Sequence, residues 1–160
     1  MGEIIVRHNR YMKKILLSKK EFKFENSIYN GSFFYDIKQV DDFYLLQNNS
    51  DVEFISPISV DHNTFFDQTG YECFFNKIHV EDFINNNESD LFFWGMKLIS
   101  TLIETLQKKF PAVKFRIILS FVVEDSCTVR FHKIRENQSW LDTNIDNYLH
   151  EGILDIVLES

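Results

Sequence analysis

Residues 88–131 have the sequence ESDLFFWGMKLISTLIETLQKKFPAVKFRIILSFVVEDSCTVRF, and this stretch decides the fold. In its first half, large apolar residues recur every three or four positions, which is typical of an amphipathic helix. In its second half, apolar and polar residues alternate, which is typical of strands with one buried face. The stretch therefore predicts one long helix followed directly by a β-hairpin.

The helix is predicted over about residues 89–110. Asn87 or Ser89 can cap its N terminus, because a side-chain oxygen there can accept hydrogen bonds from the first free backbone N–H groups. Pro111 lacks the N–H group that a continuing helix needs, so the helix should end near Phe110. The face expected to cover the sheet carries Phe92, Met96, Ile99, Ile103 and Leu106.

The hairpin is predicted to turn at Glu124-Asp125-Ser126, between the two alternating runs. A turn with an odd number of residues sets apolar side chains opposite one another, whereas an even number would set Phe121 against Thr128. We therefore expect an odd turn. The expected pairs are Val123 with Cys127, Phe121 with Val129 and Leu119 with Phe131.

Two further hairpins and a central strand are predicted upstream of the helix. Asn30-Gly31 suits a type I′ turn because both positions tolerate positive φ, which favours a hairpin over about residues 21–38. Residues 43–46 and 52–60 are expected to form a second hairpin. Residues 71–80 are strand-like and are expected to lie in the middle of the sheet.

One segment near the N terminus fits two kinds of secondary structure, and one near the C terminus predicts a strand. Residues 11–17 fit either a short helix or an edge strand. Residues 152–158 alternate, which predicts a terminal strand docked in the sheet. The whole pattern predicts a single domain over residues 1–160 of the α+β class: a mainly antiparallel β-sheet with one long amphipathic helix (about 89–110) packed on one face.

Aromatic residues are abundant, and cysteines are few. Seventeen Phe, six Tyr and two Trp residues predict a core rich in rings. Cys73 and Cys127 lie in apolar segments without a CxxC pattern, which favours buried thiols over a disulfide or a metal pair.

The sequence has no run of about 20 apolar residues and no signal-peptide pattern, so we expect a cytoplasmic protein that does not enter a membrane.

Charge is distributed unevenly along the chain. Residues 1–24 carry seven Lys or Arg against two acids, a net charge of +5, whereas the other residues carry ten against twenty-two, a net charge of −12. The acidic portion would repel nucleic acid and favours a basic protein partner. The basic residues near the N terminus fit two interpretations: a patch that binds nucleic acid or a membrane, or a solvated face that pairs with the acidic portion. We favour the second interpretation. These basic residues are Arg7, Arg10, Lys13, Lys14, Lys19 and Lys20.

Motifs of catalysis and nucleotide binding are absent: the sequence has no GxSxG, P-loop, GxGxxG, HExxH or calcium-loop spacing. His79 lies near Glu81 and Asp82, and Asp61 lies beside His62, so either group could form half of an acid–base or metal site. The same arrangements are common in proteins without such a site. We therefore expect no cofactor and no metal, and an enzyme is the less favoured class.

The candidate binding residues are polar groups that we expect away from the helix. Alternation puts several of them on the sheet face opposite the helix. That face is either a binding surface or a solvated face, and we favour the solvated face. The acidic loops around residues 124–125 and 142–146 are the other candidates. Trp140 is either a plug over the core or an exposed recognition aromatic. The complete set of candidate binding residues is Arg116, Glu124, Asp125, Arg130, His132, Asp142 and Asp146.

Four short segments carry a resemblance to known proteins: FRIILS at 115–120, VRFH at 129–132, SWL at 139–141 and EGIL at 151–154. They resemble the C-terminal part of small uncharacterised bacterial proteins. More loosely, the chain is similar to immunity proteins of bacterial toxin systems, which are small, acidic, non-enzymatic and cytoplasmic. That resemblance implies a protein that binds and blocks a cognate toxin, often a basic nuclease, and it assigns no functional residue.

Three functions are compatible with these observations. The leading hypothesis is a non-enzymatic protein-binding module, such as an immunity-type inhibitor that blocks a basic toxin partner through an acidic surface. The second is a small-ligand-binding protein or enzyme with an aromatic-lined pocket, in which His79, Glu81 and Asp82 supply polar groups. The third is a structural subunit that self-associates through a sheet edge.

Overall fold

The computed structural model describes residues 2–18, 33–34, 36–47, 65–84 and 91–160. Its helices are α1 (Arg10–Ser18), α2 (Gln68–Phe75) and α3 (Leu91–Lys109), with short 3-10 helices at Val80–Phe83 and Ile145–Asn147. Its strands are β1 (Ile4–His8), β2 (Asp36–Val40), β3 (Phe43–Gln47), β4 (Ile78–His79), β5 (Phe115–Val122), β6 (Ser126–Lys133) and β7 (Gly152–Leu158). The α+β class with a mainly antiparallel sheet is therefore confirmed.

The main sheet has five strands in the order β1-β7-β5-β6-β4, and every neighbouring pair is antiparallel. β2 and β3 form a separate two-stranded sheet. One face of the main sheet is apolar and is covered by α3 and α1. The sheet side chains of this core include Ile117, Leu119, Phe121, Val129, Phe131, Leu154, Ile156 and Leu158.

α3 is the long helix that the sequence predicted, and it begins at Leu91 and ends at Lys109. The candidate caps Asn87 and Ser89 lie outside the described residues. Gly95 sits where the helix comes closest to the sheet, since a Cβ atom there would lie 2.6 Å from Sγ of Cys127. The predicted packing of α3 on the apolar face of β5 and β6 is therefore confirmed, although Met96 and Ile103 of the predicted face are only partly buried. The helix side chains buried in this core are Phe92, Trp94, Leu98, Ile99, Leu102 and Leu106.

The β5–β6 hairpin is confirmed, but its turn lies one residue earlier than predicted. The connecting residues are 123–125, so the turn does have an odd number of residues. Phe121 pairs with Cys127 and Leu119 pairs with Val129, so each partner differs by two residues from the predicted one. The side-chain period of a strand is two, so both registers bury the same face and the apolar pattern could not separate them.

The terminal strand is confirmed as β7, which lies between β1 and β5. The open alternative for residues 11–17 is settled in favour of a helix, because α1 buries Met12 and Ile15 against the core. β1 was not predicted. All five of its residues are exposed, so its sequence has no alternation between a buried and a solvated face.

The predicted central strand over residues 71–80 is wrong. Residues 68–75 form α2, and only Ile78–His79 forms a strand, at the edge of the sheet. The side chain of Asp67 caps α2 by accepting a hydrogen bond from the N–H of Gly70 at 2.7 Å. The mixed alternation has a helical explanation, because Tyr71 and Phe75 lie one turn apart with ring centroids 4.5 Å from each other.

The two upstream hairpins have only partial counterparts. β3 is a strand as predicted, but its observed partner is β2, through a two-residue turn at Asp41-Asp42. Asp41 adopts a positive φ of 53°, which short polar residues tolerate in such turns. Residues 52–60, and most of the hairpin predicted over 21–38, lie outside the described ranges.

α2 joins the two sheets through the buried side chains of Glu72 and Asn76, which lie one helical turn apart. The Glu72 carboxylate accepts hydrogen bonds from the N–H of Tyr44 at 2.8 Å and of Lys133 at 2.7 Å. Asn76 accepts the N–H of Leu46 at 2.9 Å, and its amide donates to main-chain carbonyls of β3 and β6 at 2.7 and 3.1 Å. These two side chains replace a neighbouring strand along the facing edges of β3 and β6.

Candidate functional site

The sheet face opposite α3 holds three of the predicted binding residues, but it is not a solvated face. His132 and Thr128 are buried there, and Arg116 and Arg130 are only partly exposed. Residues 134–151, which connect β6 to β7 and which we call the C-terminal loop, pack in part on this face and help to form a second small core. The members of that core are Ile118, Leu141, Ile145 and Ile153. The expectation of a solvated face is therefore wrong, because side chains distant in sequence cover it.

Asp155 is the charged centre of this face, and its side chain is completely buried. Its Oδ2 accepts hydrogen bonds from Nε and Nη2 of Arg7 at 2.9 and 2.6 Å. Its Oδ1 lies 3.1 Å from Nε of Arg116. Since taking a carboxylate out of water costs several kcal/mol, such a group needs cationic partners. This role was not predicted, although a lone Asp inside apolar β7 was the available signal in the sequence.

The predicted pairing of the basic N-terminal residues with the acidic portion is confirmed at two points. Arg7 binds Asp155, as above. Nε of Arg10 lies 3.3 Å from the Asp146 carboxylate, which also accepts the backbone N–H of Arg10 at 2.8 Å. The second pair is largely exposed, so it contributes little to stability. Residues 19–20 lie outside the described part of the chain.

His132 is buried and neutral. Desolvation by burial lowers the pKa of its imidazole to about 4. Its Nδ1 donates to the carbonyl of Lys133 at 2.7 Å, whereas its Nε2 is buried without a hydrogen-bond partner. At neutral pH, His132 therefore presents no charge to a partner, and it does not work as an acid–base group in that pH range.

Arg130 and Trp140 form one stacked pair. The guanidinium carbon of Arg130 lies 4.7 Å from the centroid of the Trp140 ring, and Nη1 donates to the carbonyl of Cys73 at 3.3 Å. Trp140 is therefore not a plug over the core, because it is 41% exposed; a role of this exposed ring in recognition stays a prediction. Its partner is a cation, and this contact stabilises both side chains.

The acidic candidates occupy two separate loops. Glu124 and Asp125 lie exposed in the β5–β6 turn, and Asp142 lies exposed in the C-terminal loop. Asp146 is partly buried and pairs with Arg10. A role for these four carboxylates in binding stays a prediction.

Five carboxylates gather where β5 ends and where β6 and β7 begin. We call this region the acidic end, and its members are Glu81, Asp82, Glu124, Asp125 and Glu151. Oε2 of Glu81 accepts the N–H of Cys127 at 3.1 Å, which holds the first 3-10 helix beside β6. Ser120 donates its hydroxyl to Glu151, which places that carboxylate beside the end of β5. Topology therefore concentrates negative charge at one end of the sheet.

The predicted acid–base pair is a partly exposed contact between His79 and Glu81 of the acidic end. Nδ1 of His79 lies 3.3 Å from Oε1 of Glu81. Asp82 is exposed and makes no hydrogen bond to either group. Within the described ranges, no three His, Cys, Asp or Glu side chains come close enough to hold a metal ion. Asp61 and His62 lie outside those ranges.

Aromatic rings on α2 and just before it form a cluster that was not predicted, in which Tyr71 is buried and two other rings are exposed. We call it the α2 ring cluster: Phe65, Tyr71, Phe74 and Phe75. Phe74 and Phe75 are 60% and 48% exposed, and their centroids lie 5.2 Å apart. Phe65 contacts both rings at 5.3 and 5.9 Å. The signal in the sequence was two adjacent aromatics, but the wrong strand assignment placed one of them in the core.

A cavity of about 350 Å³ lies near the C-terminal end of α3. Leu106, Phe110 and Phe115 supply part of its apolar lining, so two of its lining residues are aromatic. In its wall, Nε2 of Gln107 is buried without a hydrogen-bond partner. The three polar residues expected in such a pocket are not among its lining residues, because Glu81 and Asp82 belong to the acidic end and His79 lies beside it.

None of the helices in the described residues is long and apolar enough to cross a membrane. The side chains of Cys73 and Cys127 are buried thiols, as predicted. Burial raises the pKa of Cys73 to about 12, so its thiol stays protonated at neutral pH and is not a nucleophile there.

Comparison with known proteins identifies relatives of this chain. It is similar to "Uncharacterized protein PM0498" of Pasteurella multocida (strain Pm70), with 28% identity over 131 residues, which cover 78% of this chain and 73% of the relative. No solved structure matches it significantly. The resemblance to uncharacterised bacterial proteins is confirmed, and the likeness to immunity proteins stays a prediction. A family model matches residues 7–157, from β1 to β7, and the chain therefore belongs to the Uncharacterized protein PM0498 family.

Proposed function

We propose that this protein is a cytoplasmic, non-enzymatic protein-binding module. The observation that carries the proposal is the pair of exposed rings in the α2 ring cluster, Phe74 and Phe75. Phe74 and Phe75 remain largely in water although each packs on another ring. Leaving apolar area in water forgoes roughly 25 cal/mol per Å², and contiguous exposed apolar patches mark interaction surfaces. Aromatic side chains are also enriched among the residues that dominate binding energy at protein interfaces.

Charge favours a basic protein as the partner. The acidic end concentrates carboxylates at one end of the sheet, and the whole chain has a net charge of −7. Lys and Arg side chains of a partner can pair with these carboxylates, and they can also stack on exposed Phe rings for about 0.5–1 kcal/mol each. Phosphate-rich partners would be repelled by the same field.

In its most specific form, the proposal is an immunity-type inhibitor that blocks a basic toxin. An inhibitor of this kind must reach its toxin before the toxin acts, and opposite charges accelerate such an encounter. The −12 balance after residue 24 and the resemblance described above support this form. The neighbouring genes supply the candidate toxins.

The first experiment is a pull-down from the native host at low and physiological salt. The wild-type chain should capture a basic protein, and the double variant Phe74→Ser/Phe75→Ser should lose it. Leu149→Ser is the matched control, because Leu149 is 70% exposed but lies far along the chain from α2. Circular dichroism verifies that all three proteins are folded. Recovery of no salt-sensitive protein, or equal capture by all three chains, would overturn the proposal.

The immunity-type form needs a separate experiment. Each neighbouring gene that encodes a basic protein is expressed alone and together with this chain. The proposal expects one of them to arrest growth alone and to be neutralised by the wild-type chain, but not by Glu124→Lys/Asp125→Lys. Glu104→Lys, an exposed change on α3, should still neutralise it. If no neighbouring product is toxic, the immunity-type form is wrong even where a basic partner is captured.

A small-ligand site is a second candidate, favoured by the cavity near the end of α3. Its volume of about 350 Å³ lies within the range of roughly 300–1,000 Å³ that ligand pockets occupy. Native mass spectrometry of protein purified from the host should then show a bound small molecule. Val113→Trp, which fills the cavity, should release it; an unliganded wild-type chain would contradict this candidate.

A further inference from the structure

β1 (Ile4–His8) is an open edge of the five-stranded sheet. Its inner side pairs with β7, and no described residue pairs with its outer side. The opposite edge, β4, is only two residues long. An open edge presents unpaired N–H and C=O groups, so it is a template for another strand.

The hydrogen bonds to β7 fix which groups point outward. Asn9 donates its N–H to the carbonyl of Ile153 at 3.1 Å, and Glu159 donates to the carbonyl of Glu3 at 2.9 Å. Hydrogen-bonded pairs alternate along an antiparallel ladder, so the odd-numbered residues of β1 bond to β7. The N–H and C=O groups of residues 4, 6 and 8 therefore point away from the sheet.

The side chains along this edge are apolar and exposed. Ile4, Ile5 and Val6 are 44%, 42% and 55% exposed. Edges are normally protected by proline, lysine or a bulge, and the centre of β1 has none of these. A strand added here would bury the three apolar side chains and satisfy the outward main-chain groups together.

We propose that a second copy of this chain pairs with β1, so that two five-stranded sheets join as one antiparallel sheet across a two-fold axis. The proposal does not depend on the function proposed above. Self-pairing fits because β1 and its flanking residue read Glu3-Ile4-Ile5-Val6-Arg7, with opposite charges at the two ends of an apolar centre. Turned antiparallel, this stretch is complementary to itself.

The register follows from the outward groups and the charges. With the two-fold axis at Ile5, Ile4 pairs with the partner's Val6, and both have outward main-chain groups. Glu3 then lies opposite the partner's Arg7 on one face, and opposite charges at such positions stabilise a sheet. Arg7 is already held in place by Asp155 at 2.6 Å, so little ordering is needed for this contact.

The next register that uses the same main-chain groups is less favourable. With the axis at Val6, Ile5 would lie opposite the partner's Arg7, and Ile4 would lie opposite the partner's His8. Both contacts set an apolar side chain against a polar one, and the contact between Glu3 and the partner's Arg7 is lost. The register centred on Ile5 is therefore the one that we assign.

The first test is the mass of the full chain by sedimentation velocity and light scattering over a wide concentration range. The wild type should reach twice 19.1 kDa. Val6→Pro should stay monomeric and folded, because it removes an outward N–H but no hydrogen bond to β7. Glu3→Arg should weaken association at least tenfold, whereas Glu104→Arg, the same charge change on exposed α3, should leave it unchanged.

Cysteine cross-linking tests the register. Ile5→Cys should form an intersubunit disulfide on mild oxidation, because non-hydrogen-bonded partners have Cα atoms about 4.5 Å apart, within disulfide reach. Val6→Cys should cross-link much less. The natural thiols of Cys73 and Cys127 are buried and are present in both variants. Any cross-linking through them is therefore the same background for the two measurements.

Three results would overturn the inference. One is a wild-type chain that is monomeric at every concentration. Another is a Val6→Pro chain that remains dimeric, because the contact would then lie elsewhere. The third is preferential cross-linking through Val6→Cys, which would place the two-fold axis at Val6 instead of Ile5.

Discussion

At the scale of single residues, burial separates the structural carboxylates from those available to a partner. Asp155 and Glu72 are completely buried, and each is held by arginine. Arg135 donates to the Glu72 carboxylate through Nη1 and Nη2, both at 2.9 Å. Burial raises the pKa of Glu72, and these hydrogen bonds act against that rise. Such groups stabilise the fold, so the exposed carboxylates of the acidic end are the ones that a partner could reach.

Removing the buried charge of Asp155 should destabilise the protein strongly. Asp155→Asn leaves Arg7 and Arg116 without their shared anion, and breaking a buried pair costs about 3–5 kcal/mol. Asp146→Asn is the control, since it breaks an exposed pair worth less than about 1 kcal/mol. Urea unfolding at pH 7 measures both free energies. Equal losses would contradict a structural role for Asp155.

His132 should make stability depend on pH. Its pKa is lowered from 6.5 to about 4 in the folded state, so the unfolded chain binds the proton first as pH falls. Its contribution should be complete above pH 6.5 and decline towards pH 4, by a total on the order of 3 kcal/mol. Urea unfolding of the wild type and His132→Gln at pH 7 and pH 5 measures this. Parallel losses in both chains would show that other groups cause the pH dependence.

At the scale of elements, α2 is the joint between the two sheets. Glu72 and Asn76 bond to β3 and β6 where neither strand has another neighbour on the facing edge among the described residues. This arrangement couples the small sheet to the main one by hydrogen bonds from side chains rather than by a continuous ladder. The β2–β3 sheet should therefore loosen before the main sheet when this joint is weakened.

Asn76→Ala tests the joint. It leaves the N–H of Leu46 and two carbonyls without partners, which should lower the free energy of unfolding by at least ~2 kcal/mol. Hydrogen exchange at the Leu46 amide should also accelerate. Gln39→Ala is the control, because that amide makes an exposed hydrogen bond to Asp41, and it should change stability by less than ~0.5 kcal/mol. Unchanged exchange at Leu46 would contradict the proposed joint.

The elements that sequence could predict are those with local signals. The periodicity of α3 and the alternation of β5, β6 and β7 follow from the apolar face that each element turns towards the main core, so they appear in the sequence itself, although β7 is buried on its other face as well. α2 was mistaken for a strand because its buried residues include Glu72 and Asn76, whose burial depends on partners in distant strands. The covered sheet face was mistaken for a solvated one for the same reason, since the loop that covers it is distant in sequence.

At the scale of the whole molecule, the two proposed interfaces lie towards opposite edges of the main sheet. β1 forms one edge, whereas α2 packs on β6 and β3 towards the other edge, with β7 and β5 between them. Pairing through β1 therefore leaves the α2 ring cluster exposed on both copies. The assembly that follows is two chains with one partner bound to each.

This separation predicts that the two activities can be removed one at a time. Val6→Pro should be monomeric and still capture the basic partner, because the α2 ring cluster is unchanged. Phe74→Ser/Phe75→Ser should lose the partner and still dimerise. Sedimentation velocity together with the host pull-down measures both properties on the same preparations. If Val6→Pro also lost the partner, the binding surface would have to include β1 or residues from both copies, and the α2 ring cluster alone would not account for recognition.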